Sequence, residues 1–593
     1  MKTELLLGDE AVALGAVDAG IAGAFSYPGT PATEIFEAIE AYAKGEGSGI
    51  GEQGSGVRPA GPEADASPLT LHPSPLTPHT SPLTPTTPYA LPPNHIWAQW
   101  SANEKVAYEE ALGMSYAGKR AIVSMKHVGL NVAADPFVSS AITGVNGGLL
   151  LVVADDPGMH SSQNEQDSRY YGEFAKVPIF EPSSQQEAYD MAREAFEYSE
   201  RIKLPVMMRL VTRLAHSRAN VVAADENRRA LRDTIAGKSE PGDWTLVPSN
   251  ARRRFRRLLD VQPELRAYAE RSPFNKLHLA GRRGIVASGI AYNYVREALG
   301  DSDENSLLKI GVYPVPAGLM RELVDHCEEI VVVEEGYPFI EERLHGLLGV
   351  PGKTIRGKLG GPLPPDGELT PEIVATGLGM PFAATVPPET NLVGRAPQLC
   401  KGCPHADTFR ALTDATAGHD GAVLFSDIGC YTLGAFPPYN AVHSTVDMGA
   451  SISMAHGASQ AGAYPVICTI GDSTFAHSGM TPLLGAVRAD ANITVVILDN
   501  ATVAMTGAQE SMASDQKLID VLHGLGVKEP VVFEPLPKKH EETVAILREA
   551  IAHEGLSVLV ARRACIQLKP QKPPTKAATT CELEGETTER HGR

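Results

Sequence analysis

The chain has 593 residues, enough for three or four domains, and its 43% hydrophobic and 21% charged composition is that of a globular protein with several packed cores. A formal net charge of −19 argues against polyanionic partners, so no nucleic acid and no membrane surface is expected, and the charge reads simply as solubility. No apolar run is long enough for a membrane span, and Met1-Lys2 leads into a globular pattern without a signal-peptide core, so the expected location is cytoplasmic.

Residues 1 to about 44 alternate apolar and small residues and turn at Tyr27-Pro28-Gly29-Thr30-Pro31. Thr30 is placed there to cap a helix beginning near Ala32, with Glu34 in its first turn. From 44 to 94 the composition shifts to Gly, Pro, Ser and Thr, and Ser-Pro-Leu-Thr recurs at 67–70, 74–77 and 81–84. Proline in every repeat forbids a continuous helix, and the segment reads as a disordered surface insertion. Order returns at Trp97. Residues 102–118 carry Val106, Leu112 and Met114 on a packed helix, with Glu104 at its start, where a carboxylate ordinarily complements the helix dipole.

RAIVSMKHVGLNVAADP (120–136) reads as a strand, a small-residue turn and a second helix. His127, Gly129 and Asn131 then fall at the strand's carboxyl end, facing the crevice where ligands gather in open α/β sheets. For His127 a structural hydrogen bond and a contact to substrate both fit. A further apolar strand within 147–172 runs into a polar loop with His160, Gln163 and Asn164, expected as a pocket wall. LPVMMRLVTRLAHS (204–217) supplies the last strand of a first domain, 1–215.

Residues 216–282 read as a helical connector, in which ARRRFRRLL (251–259) fits a helix with one solvated arginine face. A smaller α/β unit follows over 283–380, with strands GIVAS, LKIGVY and EIVVVEE alternating with helices YNYVREAL and GLMRELVDHC. It has no glycine-rich phosphate loop, which leaves it a structural role. The proline-rich stretch 381–398 is a linker into a third domain, 399–565.

That domain opens on Cys400-Lys-Gly-Cys403-Pro-His405, places Cys430 in a glycine-flanked turn, and ends at Cys565. Seven cysteines in so long a chain do not make a disulfide scaffold. A Cys-x-x-Cys pair alone serves zinc, thiol redox chemistry or nothing, and four gathered thiolates suit either zinc or a [4Fe–4S] cluster. Cys327 and Cys468 fall on regular elements, and Cys581 is alone in a polar tail, 566–593. Between these cysteines, PVICTI (465–470) and ITVVIL (493–498) read as parallel strands joined by a helix from Met480 to Arg488. Asp472 and Asn500 stand at their carboxyl ends. Both are hard oxygen ligands suited to Mg²⁺, with the backbone carbonyl of Thr502 to complete the set. Gly471 and Ser473 allow backbone to approach a diphosphate closely. An ordinary strand–helix–strand with polar turns would carry the same loose pattern.

The wording around that pattern is more specific. GDSTFAHSG, LDNATVAMTG, DIGCYTLG (427–434) and DMGASISMAHG (447–457) together resemble the alpha subunits of the indolepyruvate branch of the 2-oxoacid:ferredoxin oxidoreductase family, which depend on thiamine diphosphate (ThDP). The resemblance covers nearly the whole chain apart from the insert and the tail. It implies an α/β fold of three doubly wound parallel-sheet (α/β/α) domains: ThDP pyrimidine-binding-like, transketolase C-terminal-like and ThDP diphosphate-binding. It implies Glu104 as the carboxylate at the cofactor's aminopyrimidine N1′ and Thr30 at the substrate, with His127 taken as a further catalytic candidate. Gly449 and Ala450 join Gly471, Asp472, Ser473, Asn500 and Thr502 as cofactor contacts, with Mg²⁺ on Asp472, Asn500 and Thr502. Cys400, Cys403, Cys430 and Cys565 become ligands of one [4Fe–4S] cluster. The implied reaction is oxidative decarboxylation of an aryl 2-oxo acid, with coenzyme A (CoA) taking the acyl group and ferredoxin the electrons. A separate beta subunit is the implied partner.

Two departures accompany the resemblance. Only one cysteine follows Cys565, so the family's terminal ferredoxin-like domain is not expected here, and the loop AQESMASDQKLID after Gly507 lacks the family's longer His/Pro/Gly-bearing segment. The alternatives are a non-oxidative ThDP decarboxylase, opposed by the four cysteines, and a non-catalytic scaffold, opposed by Asp472, Asn500 and Glu104.

Overall fold

The computed structural model describes residues 2–45, 95–224, 242, 244–300, 302–382 and 397–568. The Ser-Pro-Leu-Thr repeats, most of the 381–398 linker and the tail from 569 onward lie outside the described residues. Three sheets with mostly parallel strands organise the rest, flanked by helices in the alternating pattern that apolar strand runs require.

The first sheet has seven strands in the order Val312–Tyr313, Ile179–Phe180, Val206–Val211, Leu149–Asp155, Ala121–Lys126, Gly23–Ser26 and Trp97–Trp100. Every pair is parallel except the outermost, where Val312–Tyr313 runs antiparallel to Ile179–Phe180. That edge strand comes from the next unit in the chain. The interior strand LLLVVAD is buried at every position, as expected where helices cover both faces. By contrast Arg218–Ala223, which pairs antiparallel with Lys2–Leu7, buries few of its residues. The stretch expected as a helical connector therefore begins with a strand that returns to the amino terminus, before the long helix Pro248–Arg271.

The second sheet orders Thr354–Arg356, Glu329–Val333, Arg283–Ser288, Asn305–Ile310 and Lys276–His278, the last antiparallel. Fully buried charges tie it to the first. Arg169 reaches Glu334 at 2.8 Å, and Arg209 reaches Asp155 at 2.6 Å, while both guanidinium groups donate to the Glu335 carbonyl. Removing one partner of such a buried pair typically destabilises by about 3–5 kcal/mol.

The third sheet is wholly parallel, in the order Val423–Ser426, Val466–Gly471, Thr494–Asp499, Ser557–Arg562 and Val531–Phe533. Successive residues of its central strands feed opposite cores. Cys468, Val495, Ile497, Val558 and Val560 pack on one face, and Ile467, Val496, Leu498, Leu559 and Ala561 on the other. This is the two-residue period of a doubly wound sheet. Among the described residues no helix is long and apolar enough to cross a membrane.

Candidate active site

The carboxyl ends of the first and third sheets face one another across a cleft of about 790 Å³. One wall carries Tyr27 to Thr30, Glu104, Lys126, Gly129, Asn131 and Asn164; the other carries Gly449, Ala450, Gly471, Asp472, Ser473, Asn500 and Thr502. Tyr27 and Thr502, more than 450 positions apart in sequence, thus share one cavity.

Glu104 is the first residue of helix Glu104–Tyr116 and is buried. Asn103 caps that helix, accepting from the Val106 backbone N–H at 2.9 Å, and its Nδ2 donates to the His477 carbonyl at 2.9 Å. His477 Nε2 lies 2.7 Å from Glu104 Oε2, and its Nδ1 lies 2.6 Å from Ser478 Oγ. A tautomer with the proton on Nε2 donates to Glu104 and accepts from Ser478. His477 occupies a π-helical turn, Phe475–Gly479, and such turns recur where a helix must aim a side chain. Tyr27 packs edge-on against the His477 ring at 4.7 Å and leaves its buried hydroxyl without a hydrogen-bond partner.

Asp472 follows directly from strand Val466–Gly471 and is 2% exposed. Its Oδ1 accepts from the Ser473 N–H at 2.8 Å, and its Oδ2 has no hydrogen-bond partner. Burial, with Asp499 nearby, raises its carboxyl to about 7. Asn500 follows strand Thr494–Asp499, and Ala501 then adopts φ +64° so that the Thr502 N–H comes 3.3 Å from Asn500 Oδ1. Asn500 Nδ2 donates to His405 Nε2 at 3.2 Å; burial lowers that imidazole to about 4, which keeps it a neutral acceptor. An orphaned carboxylate oxygen beside an oriented amide oxygen is the donor set that Mg²⁺ takes. The adjoining backbone forms a cradle: a Cβ on Gly449 (φ +101°) would fall 2.5 Å from Ser478 Cβ, and one on Gly471 would fall 2.6 Å from the Tyr431 ring. Asp427 fixes that cradle by accepting from the Gly449 N–H at 2.9 Å and the Ser451 N–H at 3.1 Å.

The four thiols lie behind this site. Burial pushes Cys430 up to about 11, with further contributions from Cys403, Cys565 and Cys400, so the four groups share one neighbourhood. The Cys565 N–H donates to the Asn500 carbonyl at 3.1 Å. Arg563 joins the strand end to the Cys-x-x-Cys loop, bonding Asp407 at 2.9 Å and the Gly402 carbonyl at 2.9 Å. Among the described residues no three thiol sulfurs lie within 4.8 Å of one another. Zinc with bonds of about 2.3 Å needs sulfurs about 3.8 Å apart. Among the described residues no three of the sulfurs stand at that spacing.

His127 is not among the residues that line the cleft, and Thr30 lines it without the capping role expected of it. The helix His127–Thr143 begins immediately after strand Ala121–Lys126, with no intervening turn. His127 consequently points away from the cleft: it is 1% exposed and its Nε2 lies 3.1 Å from the Asn164 carbonyl, so it positions the loop that lines the cavity. Thr30 lines the cleft but does not cap the following helix, which starts at Thr33; Thr33 Oγ1 instead accepts from the Gly29 N–H at 3.1 Å. Sequence reasoning missed His477, Asp427 and Lys126. Lys126 faces the cavity from the strand end, and burial lowers its ammonium to about 8.

A family model described as the thiamine pyrophosphate enzyme C-terminal TPP binding domain matches residues 427–561, the diphosphate-side half of the cleft. With the doubly wound sheets, that match defines a thiamine diphosphate enzyme. The chain is 36% identical to indolepyruvate oxidoreductase subunit IorA of Archaeoglobus fulgidus over 587 residues, covering 94% of this chain and 86% of that one. It is 35% identical to the proteins of the same name from Thermococcus kodakarensis and Methanothermobacter thermautotrophicus, each over 95% of this chain and 86% of the relative. The chain belongs to the indolepyruvate oxidoreductase IorA family. A solved 2-oxoglutarate:ferredoxin oxidoreductase from Magnetococcus marinus, with 2-oxoglutarate, coenzyme A and succinyl-CoA bound, is similar at 15% identity and a TM-score of 0.45, covering 64% of this chain and 65% of that one.

Proposed function

We propose that this chain is the catalytic alpha subunit of an indolepyruvate (arylpyruvate):ferredoxin oxidoreductase. It would act in the cytoplasm with a separate beta subunit, converting an aryl 2-oxo acid and CoA to aryl-acetyl-CoA and CO₂ while two oxidised ferredoxins are reduced. The observation that carries this reading is the juxtaposition of Glu104 and Asp472 in one cleft, with the thiol array joined to that cleft through the Cys565–Asn500 backbone bond. A non-oxidative decarboxylase has no use for those thiols.

In this assignment Asp472, Asn500 and the Thr502 carbonyl hold Mg²⁺, and Gly449, Ala450, Gly471 and Ser473 receive the diphosphate. Cys400, Cys403, Cys430 and Cys565 hold one [4Fe–4S] cluster. When bound, ThDP supplies a carbon nucleophile and electron sink, and the cluster a one-electron acceptor. Glu104 takes the hydrogen bond from the pyrimidine N1′, and His477 holds Glu104 in line for it. Lys126 pairs with the substrate carboxylate, and Thr30 lies beside the same part of the cavity. Apolar Val128, Val132, Val446 and Met505 along the cleft supply the surface an aryl group buries.

Glu104→Gln tests the assignment, because it keeps shape and removes the carboxylate. ThDP should bind as in the wild type, while deuterium exchange at the thiazolium C2 slows by about 10²-fold or more. Unchanged exchange on bound ThDP would overturn it.

A further inference from the structure

The amino-terminal unit contains a second group of ionisable side chains, which the ThDP chemistry does not use. Asp9 lies in the first turn of helix Gly8–Asp18, Glu34 in the first turn of helix Thr33–Ala43, and His216 at the end of helix Thr212–His216. One ligand atom from each lies within 4.8 Å of the other two, and His216 Nε2 stands 3.6 Å from Glu34 Oε2. Asp9 is fully buried, and neither of its carboxylate oxygens has a hydrogen-bond partner. The neighbouring Glu10 is already engaged, accepting from the Leu7 N–H at 2.8 Å.

We propose that Asp9, Glu34 and His216 bind one divalent transition-metal cation of the manganese, iron and zinc group.

A buried carboxylate without a hydrogen bond or counter-ion is strongly disfavoured. Among the described residues no lysine or arginine pairs with Asp9, and its charged neighbours, Glu34 and Glu10, are also acidic. Contact with Glu34, and to a lesser degree the charge of Asp156, raises the His216 imidazole above its ordinary value, so positive charge is favoured at this position and an ion there would displace a proton. Two carboxylates and a neutral imidazole neutralise a divalent ion, and mixed oxygen and imidazole donors select borderline metals over soft ones. With bonds of about 2.1 Å, ligand atoms in a tetrahedral site sit about 3.4 Å apart. The 3.6 Å Glu34–His216 separation is close to that spacing, so small side-chain rotations close the site. Packing creates the approach: a Cβ on Gly8 would fall 2.2 Å from the Leu214 carbonyl oxygen, so only glycine lets this helix start reach the segment ending in His216. The Glu34 and His216 side chains remain about one-third exposed, which leaves a path for the ion and its waters.

The site is independent of the ThDP reading, although Glu34 lies four residues beyond Thr30, so an ion held there would brace one wall of the cleft.

The test uses the full-length protein loaded with ThDP and saturating Mg²⁺, which blocks the diphosphate site. Mn²⁺ is added and free ion is followed by electron paramagnetic resonance, with thermal midpoints measured in parallel. The wild type should bind one Mn²⁺ per chain and melt at a higher temperature with it. Asp9→Asn, which is nearly isosteric, should weaken binding by more than about tenfold and lose the thermal gain. Glu34→Gln and His216→Gln, on the exposed side, should do the same and serve if Asp9→Asn fails to fold, while Asp472→Asn should retain the site. Equal Mn²⁺ binding by wild type and these variants overturns the proposal. So does a wild type that binds no Mn²⁺ while Asp9→Asn is more stable, which would show a carboxyl pair sharing a proton.

Discussion

Gly129 offers a perturbation whose size can be worked from the structure. A Cβ built there meets Glu104 Cγ at 2.6 Å, Oε1 at 2.7 Å and Cδ at 2.9 Å. Ordinary contact begins near 3.4 Å, so in Gly129→Ala the carboxylate must withdraw by about 0.7 Å. Displacement of a catalytic group by about 1 Å costs on the order of 10² in rate, so a loss of roughly 10- to 10²-fold is expected, or about 1.4–2.7 kcal/mol. Global stability should change less than the rate does. Overpacking costs about 1–3 kcal/mol, and replacing a helical glycine returns up to about 1 kcal/mol. The diphosphate side of the cleft is untouched, so ThDP affinity should hold. The assay is deuterium exchange at C2 of bound ThDP, alongside calorimetric affinity. Exchange at the wild-type rate, with ThDP bound, would show that the Glu104 carboxylate does not control the cofactor.

Asp472→Ala should abolish Mg²⁺-dependent ThDP retention in calorimetry. Because burial raises this carboxyl to about 7, and the metal requires its anion, wild-type affinity for Mg²⁺ and ThDP together should weaken as pH falls below about 7. Anaerobically purified protein should contain about four iron atoms and four acid-labile sulfides per chain, and Cys565→Ser should lose them; stoichiometric zinc without sulfide would contradict the cluster. Lys126 carries its positive charge only below about 8, so kcat/KM for the 2-oxo acid should be level beneath that pH and fall about tenfold per unit above it. Lys126→Met should raise KM and flatten that limb of the profile.

The strand–helix–strand around Asp472 and Asn500 was legible because its signals are local: two apolar runs, a crossover of helical length, and oxygen side chains at both strand ends. Glu104 was singled out only through the family resemblance, since a carboxylate at a helix start carries no functional mark of its own, and the structure places it in the cleft. Of the two roles the sequence left open for His127, its hydrogen bond to the Asn164 carbonyl fits the structural one. The strand ends at Lys126 and the helix begins without a turn, so the lysine faces the cavity and the histidine turns beneath it. His477 reaches Glu104 through a π-helical turn, which ordinary helical spacing does not foretell. Asp9, Glu34 and His216 meet only because Gly8 admits a close helix contact, a tertiary fact that no window of sequence contains.

The edge strand Val312–Tyr313 also bears on how the protein is made. Until those residues leave the ribosome, Ile179–Phe180 presents an unpaired edge, and about 130 residues separate the two. At roughly 5–20 residues per second, that edge stays open for about 7–26 seconds of synthesis. An open edge is a template for pairing with other chains. The first sheet is therefore completed late, by a segment whose own sheet is still being translated, and the interval is when nascent chains are most exposed to capture by one another or by chaperones.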